Sequence, residues 1–398
     1  MLPPVSIKTR ILISFFVVVL TLSVSIALLG YYVIEHDIFR RTERKVLNDL
    51  KVARMVYTGE IDRIGQGLRL VSPDGDLEEL RHRLDLHYLR YVPAPAFATL
   101  RSDLARLAAA DGRARGGTRR MSPEELDSLP GDFAGKRRIQ IKATPMAGPT
   151  EREVLDYVMA KEYAVPVTGE AGRVDGVLYG GRIVNRDYTF VDRIRDLVYS
   201  RELYRGKPVG TVTIFQDDVR ISTNVLDENG QRAIGTRVSA QVYEKVVKEG
   251  QVWHDRAFVV TDWYKTAYEP IRDIEGEIIG VLYVGTLEQP FSDTARQILL
   301  IFLTAVGAAT VIAVLFSFVL AGALSKPLTQ VVHASECLAS GDWGCQVNAN
   351  TSIKDINSMA EAFNAMAIGL KERQESLRVS NEKLAAMNKS YVDLIGFV

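Results

Sequence analysis

Two stretches of the chain align without a gap and decide the fold of its central region: KEYAVPVTGEAGRVDGVLYGG (161–181) and KTAYEPIRDIEGEIIGVLYVG (265–285). Every residue of the first lies 104 positions before its counterpart, and eight of these pairs are identical, among them Gly176 with Gly280. A constant offset of this size indicates a duplicated module rather than a short solenoid repeat. Each copy has the pattern of two strands around a glycine turn, and the second strand is densely apolar.

Outside the repeat, the apolar pattern predicts further strands and several long helices. The predicted strands are 209–215, 219–223 and 256–260. The predicted helices are 37–57, 76–89, 97–109 and 238–248. The stretch DGRARGGTRR (111–120) is predicted to be a flexible, solvated loop, and a basic lip for an anionic ligand is the alternative. Strands bounded by long helices in two tandem copies predict a pair of α+β modules.

Two uncharged apolar blocks, residues 11–34 and 297–325, flank this region. Each exceeds the roughly 20 residues with which a helix crosses a bilayer. The first block is too long for the apolar part of a signal peptide, so we interpret it as an uncleaved anchor. Two buried helices of a soluble protein are the alternative. The large loop 36–296 is expected outside the membrane and both termini in the cytoplasm, because a long loop translocates largely regardless of its charges.

Charge and cysteine content exclude several classes of protein. Among the 398 residues, 49 Lys and Arg balance 49 Asp and Glu, which argues against a nucleic-acid partner. Cys337 and Cys345 are the only cysteines, and both fall in the predicted cytoplasmic tail, where thiols stay reduced. The outer region must therefore fold without disulfides. Since no His, Cys or Asp cluster has the spacing of a metal site, we predict no metal and no cofactor.

The tail after residue 325 has the pattern of two helices around a turn-rich connector. Pro327 is expected to end one helix and to start another. From Ile356 onward, eleven of thirteen positions at heptad spacing are apolar, including Phe363, Met366, Leu370, Leu377 and Leu384. Such a seam is typical of a coiled coil, and a lone amphipathic helix would need a neighbour along its whole length. The sequence therefore predicts a homodimer.

The outer region resembles a known sensor family over most of residues 36–291. The resemblance is specific from residue 174 onward, in GKPVGTVTIFQDDVRISTNV (206–225), RAFVVTDWYKTAYEPI (256–271) and GVLYVGTLEQPF (280–291). These stretches resemble the fused double Cache domain (Cache 3/Cache 2), the extracytoplasmic input half of bacterial sensor kinases and chemoreceptors. The resemblance implies two PAS-like α+β modules that bind a small molecule outside the bacterial inner (plasma) membrane.

The candidate ligand-binding residues combine fixed positive charge with aromatic rings, since arginine suits carboxylate capture and aromatic rings wall apolar pockets. In the membrane-proximal module the candidates are Arg220, Arg237, Trp263, Tyr264 and Tyr268. In the membrane-distal module they are Tyr157, Tyr179 and Arg182. The alternative is that the aromatic side chains are core residues. Whether the ligand is an organic acid, an amino acid or an amine stays open.

The tail resembles a HAMP domain at Pro327, Gly341-Asp342 and Phe363-Asn364-Ala365-Met366. It departs from that family at Lys354-Asp355-Ile356-Asn357, where Asp355 keeps the acidic residue but asparagine replaces the usual glycine. The residues expected to relay a signal are Pro327, Asp355, Phe363, Met366, Leu370, Leu377 and Leu384. The final SYVDLIGFV (390–398) resembles the start of the dimerisation and phosphotransfer helix of histidine kinases.

These resemblances imply seven segments and one principal function. The segments are a cytoplasmic N-terminus (1–10), a transmembrane helix (11–35), the membrane-distal Cache module with its long helix (36–205), the membrane-proximal module (206–296), a second transmembrane helix (297–325), HAMP (326–375) and a coiled coil (376–398). The chain is expected to be the input half of a two-component sensor histidine kinase that stops before the phosphoacceptor histidine. It would then lack catalytic residues and would engage a response regulator only if a kinase core is supplied.

Two alternatives remain open at this point. A chemoreceptor-type input fragment would share the outer family and HAMP, but would continue into a long Ala- and Glu-rich helical hairpin. A catalytically silent, dimeric, ligand-binding membrane protein would act only through a partner receptor.

Overall fold

The structure is a computed structural model that describes residues 6–73, 75–169, 172–347, 351 and 353–395. The chain divides into two compact units. One is Ile34–Gln297, and the other combines the two ends of the chain, Met1–Val33 and Ile298–Val398. The strands are β1 (Tyr88–Pro93), β2 (Arg115–Met121), β3 (Ile139–Gln140), β4 (Val154–Leu155), β5 (Val158–Thr168), β6 (Val174–Ile183), β7 (Leu203–Tyr204), β8 (Lys207–Pro208), β9 (Gly210–Gln216), β10 (Val219–Thr223), β11 (Trp253–Val259), β12 (Asp262–Arg272) and β13 (Ile278–Leu287).

The helices are α1 (Ile7–Arg69), α2 (Leu77–Arg83), α3 (Asp103–Asp111), α4 (Pro123–Asp127), α5 (Ala134–Arg137), α6 (Tyr188–Tyr199), α7 (Ala240–Val242), α8 (Gln289–Ala339) and α9 (Lys354–Ile395). A 3₁₀ turn covers Ala94–Thr99, and α7 continues as a π-helical turn over Tyr243–Lys248.

The unit Ile34–Gln297, which we call the outer unit after its predicted location, contains two main antiparallel sheets. Their strand orders are β1-β6-β5-β2 and β10-β9-β13-β12-β11. The duplicated stretches form corresponding hairpins in them. Lys161 pairs with Arg182 as Lys265 pairs with Thr286, and each hairpin has its register irregularity at the matching place, Val167/Thr168 and Ile271/Arg272. Because a one-residue slip would turn every side chain to the opposite face, matching registers give matching buried faces. The duplication predicted from the sequence is confirmed in these hairpins.

Helix α1 supplies one wall of the outer unit's core. Its buried residues recur every three or four positions, which is the spacing of one helix face, at Val46, Leu50, Ala53, Tyr57 and Ile61. This face packs into a cluster with α6 and with β9, β10, β12 and β13. Helix α6, which lies within the predicted membrane-distal segment, thus packs on the five-stranded sheet.

Charged groups fill the interior of the four-stranded sheet. Glu162 is fully buried on β5, accepts a 2.6 Å hydrogen bond from the Tyr88 hydroxyl and lies 3.5 Å from Arg119. Arg119 also donates two bonds, of 2.7 and 2.8 Å, to Glu125. Burial, followed by the nearby Glu162 carboxylate, raises the pKa of Tyr88 well above its usual value. The network pairs the carboxylates of Glu125 and Glu162 with Arg119 where solvent does not reach them, although the Arg119 Nε has no partner among the described residues.

Two sequence predictions in this region are wrong. Residues 111–120 do not form a loop, because Arg115–Met121 is the edge strand β2. Gly116 of this strand lies against the Tyr163 ring, which a Cβ at that position would overlap. The helix predicted over 76–89 ends at Arg83, where Asp85 adopts a left-handed conformation (φ 54°) and turns the chain into β1.

Three of the four arginines in residues 111–120 pair with carboxylates, which does not favour the basic-lip alternative: Arg115 pairs with Asp111, Arg119 with Glu125 and Arg120 with Asp217.

The strands predicted at 209–215, 219–223 and 256–260 are confirmed as β9, β10 and β11, with small shifts at their ends. The predicted helix 37–57 is part of α1, and 238–248 is helical from Ala240. The segment 97–109 divides into the 3₁₀ turn and α3, because Ser102 caps α3 by accepting a 3.1 Å bond from the Ala105 N–H.

The second unit contains two helical segments long and apolar enough to cross a membrane, Lys8–Ile34 within α1 and the helix α8. Ser23 and Thr310 share a 2.7 Å hydrogen bond between them. Helix α8 continues through Pro327, so the expectation that this proline separates two helices is wrong. A proline removes a single backbone donor, and the helix continues on both sides, where Thr329 bonds the Ser325 carbonyl at 2.9 Å.

Candidate functional site

The candidate site lies on one face of the five-stranded sheet. Arg220 on β10 stands opposite Phe215 on β9, and Tyr268 on β12 stands opposite Tyr283 on β13. The rings of Tyr268 and Tyr283 are 4.7 Å apart, and the Phe215 ring lies 6.4 Å from Tyr268. Antiparallel pairing of neighbouring strands thus brings one arginine and three aromatic side chains together.

Arg220 is a buried cation without an acceptor. The residue is 4% exposed, and its Nε and Nη1 atoms have no hydrogen-bond partner among the described residues. Its backbone is fixed by bonds to Thr236 (2.8 Å) and from Gly235 (3.0 Å). Burial lowers the pKa of Arg220, and its guanidinium carbon lies 5.2 Å from the centre of the Phe215 ring. An unpaired buried donor is costly, so this side chain is prepared to bind an acceptor.

A cavity of about 70 Å³ opens beside Arg220. Its described lining includes Arg220, Arg237 and Arg256 but no aspartate or glutamate. The aromatic part of the lining is Phe215, Trp253, Phe258, Trp263 and Tyr268. These features suit a small anion with an apolar body.

The other two arginines of the lining have partners. Arg237 donates a 2.6 Å bond to Asp218 and another to the Gly148 carbonyl. Arg256 donates a 2.5 Å bond to Glu288, and its guanidinium lies 4.1 Å from the centre of the Trp263 ring. Within the described lining, Arg220 is therefore the arginine whose charge is not balanced by a carboxylate.

The structure gathers four of the five membrane-proximal candidates, Arg220, Arg237, Trp263 and Tyr268, around this cavity. Tyr264 is buried in the hydrophobic cluster on the same sheet and lines a different cleft, beside Asp262. Burial raises the pKa of both Tyr264 and Tyr268, and it raises that of Tyr283 to about 12. The tyrosines therefore present neutral hydroxyl groups at physiological pH.

The membrane-distal candidates do not line this cavity. Tyr179 is buried in the core of the four-stranded sheet, and Tyr157 is nearly half exposed. Arg182 pairs with Asp85 and, at 3.2 Å, with Asp187.

Three residues beside Arg220 were not predicted from the sequence: Phe215, Trp253 and Tyr283. Tyr283 could have been identified from the sequence, since it belongs to the repeated Gly-Val-Leu-Tyr. Phe215 lies five residues before Arg220 and Trp253 ten residues before Trp263, and the pairing of adjacent strands places each of them beside the site.

The proposed relay residues divide into packed and exposed positions. Pro327 is buried within α8, and Phe363 packs with Ala334, Val347 and Ala360. Asp355 is exposed in the first turn of α9. The seam residues Met366, Leu370, Leu377 and Leu384 are between 40% and 59% exposed in the single chain. The end of the predicted coiled coil, residues 396–398, lies outside the described residues.

A second group of functional side chains was missed by the sequence analysis. The ligand atoms of Cys337, Asp342 and Cys345 lie within 4.8 Å of one another at the end of α8. The two sulfurs are joined as a disulfide, with the Cα atoms 6.3 Å apart. Gly341, at φ 93°, turns the chain back so that residues 337 and 342–345 meet.

Comparison with known proteins gives a family match for part of the chain. Residues 182–298, which include Arg220 and Tyr268, match the family described as single cache domain 3. No curated protein matches the sequence.

Several solved sensor domains are similar to part of this chain. The ligand-binding domain of the Pseudomonas fluorescens chemoreceptor CtaA in complex with L-isoleucine is 9% identical, with a TM-score of 0.30, and the alignment covers 66% of this chain and 98% of that one. The Pseudomonas aeruginosa amino acid chemoreceptor PctB with L-Gln is 10% identical, with a TM-score of 0.29 and coverage of 63% and 91%. The sensor domain of the Vibrio cholerae histidine kinase DctB is 10% identical, with a TM-score of 0.25 and coverage of 62% and 85%.

At these identities and TM-scores, the likenesses carry no argument about the ligand or activity of this chain. The family match is different in kind, because it rests on the sequence of residues 182–298. The predicted resemblance to Cache sensors is confirmed for that part of the chain.

Proposed function

We propose that the chain is the input and transmission half of a membrane sensor whose membrane-proximal Cache module binds a small organic acid. The observation that carries this proposal is the buried Arg220 side chain, which lines the cavity and whose Nε and Nη1 atoms have no hydrogen-bond partner among the described residues. A carboxylate oxygen would accept from either of these nitrogens, and such charge-assisted bonds are stronger than bonds between neutral groups.

The charge of the lining favours an acid over an amine or an amino acid. Three arginines and no carboxylate line the described cavity, so a ligand ammonium group would find like charge and no anionic partner. The aromatic side chains, Trp253 and Tyr268 among them, suit a short hydrocarbon body. The cavity volume of about 70 Å³ suits a small ligand.

A chain of contacts also connects the cavity to the start of α8. Arg256 binds Glu288, and the Glu288 N–H donates a 3.0 Å bond to the Trp263 carbonyl. Glu288 immediately precedes α8, and β13, which carries Tyr283, ends one residue earlier. A ligand that displaces Arg256 or Trp263 would therefore act on the first residue before the helix. The ligand would transmit a signal only if it bound two conformations of the connection between β13 and α8 with different affinities.

The relay beyond the membrane is proposed from the tail. Residues 326–375 would form a HAMP domain in which Phe363 and Val347 pack against the end of α8. The exposed seam residues Leu377 and Leu384 would be buried by the same helix of a second copy, giving a homodimeric coiled coil. The output would be a histidine kinase of a two-component system, with the sensor unit outside the bacterial inner membrane and both termini in the cytoplasm.

A thermal-shift screen of the purified unit Ile34–Gln297 tests the ligand class. The panel contains short carboxylic acids, the amines with the same carbon skeletons and the corresponding amino acids. We expect stabilisation by one or more acids and none by the matched amines, since a ligand at 100 times its dissociation constant adds about 2.7 kcal/mol. Stabilisation by amines or amino acids alone would contradict the proposal.

A further inference from the structure

The end of α8 and the connector after it bring together two sulfurs and a carboxylate. Cys337 lies in the last turn of α8, and Cys345 follows the Gly341 turn. The Asp342 Oδ2 atom lies 3.6 Å from the Cys337 sulfur, while its Oδ1 accepts a 3.0 Å bond from the Gly344 N–H. The backbone thus fixes one oxygen of the carboxylate and leaves the other facing the sulfurs.

The surroundings of this group are negative. The last carbonyl groups of a helix carry the negative end of its dipole, and Cys337 lies among them. Between Lys326 and Lys354 the sequence contains no lysine or arginine, but it contains Glu336 and Asp342. No fixed basic side chain of the segment itself therefore opposes a cation at the sulfurs. Thiolate and carboxylate groups are among the donors that bind zinc.

The oxidation state of Cys337 and Cys345 decides whether their sulfurs can bind a metal. A Cα separation of 6.3 Å allows the disulfide that the structure contains. In the topology of the proposed function, on which this step rests, the tail lies in the reducing cytoplasm, where disulfides are rare. The pair would then be present as two thiols beside Asp342.

We propose that reduced Cys337 and Cys345, together with Asp342, bind a thiophilic divalent cation such as Zn²⁺. Each thiol loses its proton to solvent as its sulfur binds the metal, and no electron is transferred. Water completes the four ligands that zinc usually takes.

Binding would tie the connector to α8 next to the cluster of Val347 and Phe363. Cys345 packs against that cluster, and Val347 exchanges two hydrogen bonds with the Asn364 side chain, of 2.8 and 2.9 Å. Metal occupancy would therefore fix the connector to both α8 and α9.

Cobalt titration of the full chain in detergent micelles tests the site. The protein is reduced with a phosphine, freed of reductant without oxygen and titrated with Co²⁺. We expect thiolate-to-cobalt charge-transfer bands that saturate at about one ion per chain and disappear on addition of Zn²⁺. Cys337→Ser and Cys345→Ser should each abolish these bands, and Asp342→Asn should weaken binding roughly 10- to 100-fold.

His333→Ala is the matched control, because His333 is exposed and lies one turn before Cys337. It should leave the bands unchanged. Zn²⁺ should also protect both cysteines of the unmodified chain from alkylation, a readout that needs no variant to fold. Absent bands, bands that survive in the serine variants, bands lost in His333→Ala or unprotected cysteines would each overturn the proposal. Because ligand binding at Arg220 is measured on Ile34–Gln297 alone, failure of the metal site is distinguishable from failure of the proposed function.

Discussion

Replacing Arg220 by methionine is expected to affect folding and binding in opposite directions. In the unliganded unit the guanidinium is buried with two nitrogens unpaired, which costs about 1–3 kcal/mol. Methionine removes this cost but also removes the contact with the Phe215 ring, a loss of about 0.5–1 kcal/mol. We therefore expect the free energy of unfolding of the unliganded unit to stay unchanged or to rise by up to about 2 kcal/mol.

Binding of the acid should fall steeply in the same variant. Losing one partner of a buried, hydrogen-bonded charge pair costs about 2–5 kcal/mol, which corresponds to roughly 30- to 4,000-fold in affinity. Urea unfolding of Ile34–Gln297 and calorimetric titration with the acid found in the screen measure the two effects.

Arg272→Met is the matched control, because Arg272 lies exposed on β12 and bonds the Gly276 carbonyl. It should change stability by less than about 0.5 kcal/mol and leave the affinity unchanged. The reasoning is refuted if Arg220→Met destabilises the unliganded unit by more than about 1 kcal/mol, because Arg220 would then be a structural residue. Undiminished affinity in that variant would refute it equally.

Three further predictions concern the rest of the chain. Arg119→Met should destabilise the outer unit by about 3–5 kcal/mol in urea unfolding, because it leaves Glu125 and Glu162 buried without their cation, whereas the exposed Arg106→Met should have little effect. Burial, with Lys136 and Arg182 nearby, lowers the pKa of His87 to about 4, below the unfolded value near 6.5. Between these values the unfolded chain binds the extra proton, so stability should fall by at most about 3 kcal/mol as the pH falls from 6.5 to 4. His87→Asn should flatten this slope and the exposed His82→Asn should keep it; an unchanged slope in His87→Asn would contradict the assignment. Leu377→Asp should convert the full chain from dimer to monomer in light scattering, and a persistent dimer would remove the coiled-coil proposal.

The duplicated hairpins could be predicted from the sequence because their signal is local. Strand, turn and strand follow each other directly in 161–181 and 265–285, and the same register appears in both sheets. The edge strand β2 could not be predicted, because Arg115–Met121 has the composition of a loop. Gly116 is explained only by the ring of Tyr163, its partner on the neighbouring strand.

The candidate site, too, could be predicted from the sequence only in part. Trp263 and Tyr268 are close in sequence, so their grouping was visible, and Arg220 was recognised as a possible partner of a carboxylate. That Arg220 lacks an acceptor while Arg237 has Asp218 depends on which side chains the fold brings together. The sulfur–carboxylate group at Cys337 was missed because its spacing matches no common metal pattern, and the Gly341 turn creates it.

The most direct measurement of the central claim is a crystal structure of Ile34–Gln297 grown with the acid that stabilises it most. We expect the ligand carboxylate to lie within about 3 Å of the Arg220 Nε or Nη1 atom, with its hydrocarbon body against Trp253 and Tyr268. A carboxylate bound elsewhere, for example near Tyr179 and Arg182 in the four-stranded module, with the Arg220 cavity occupied only by water, would contradict the account.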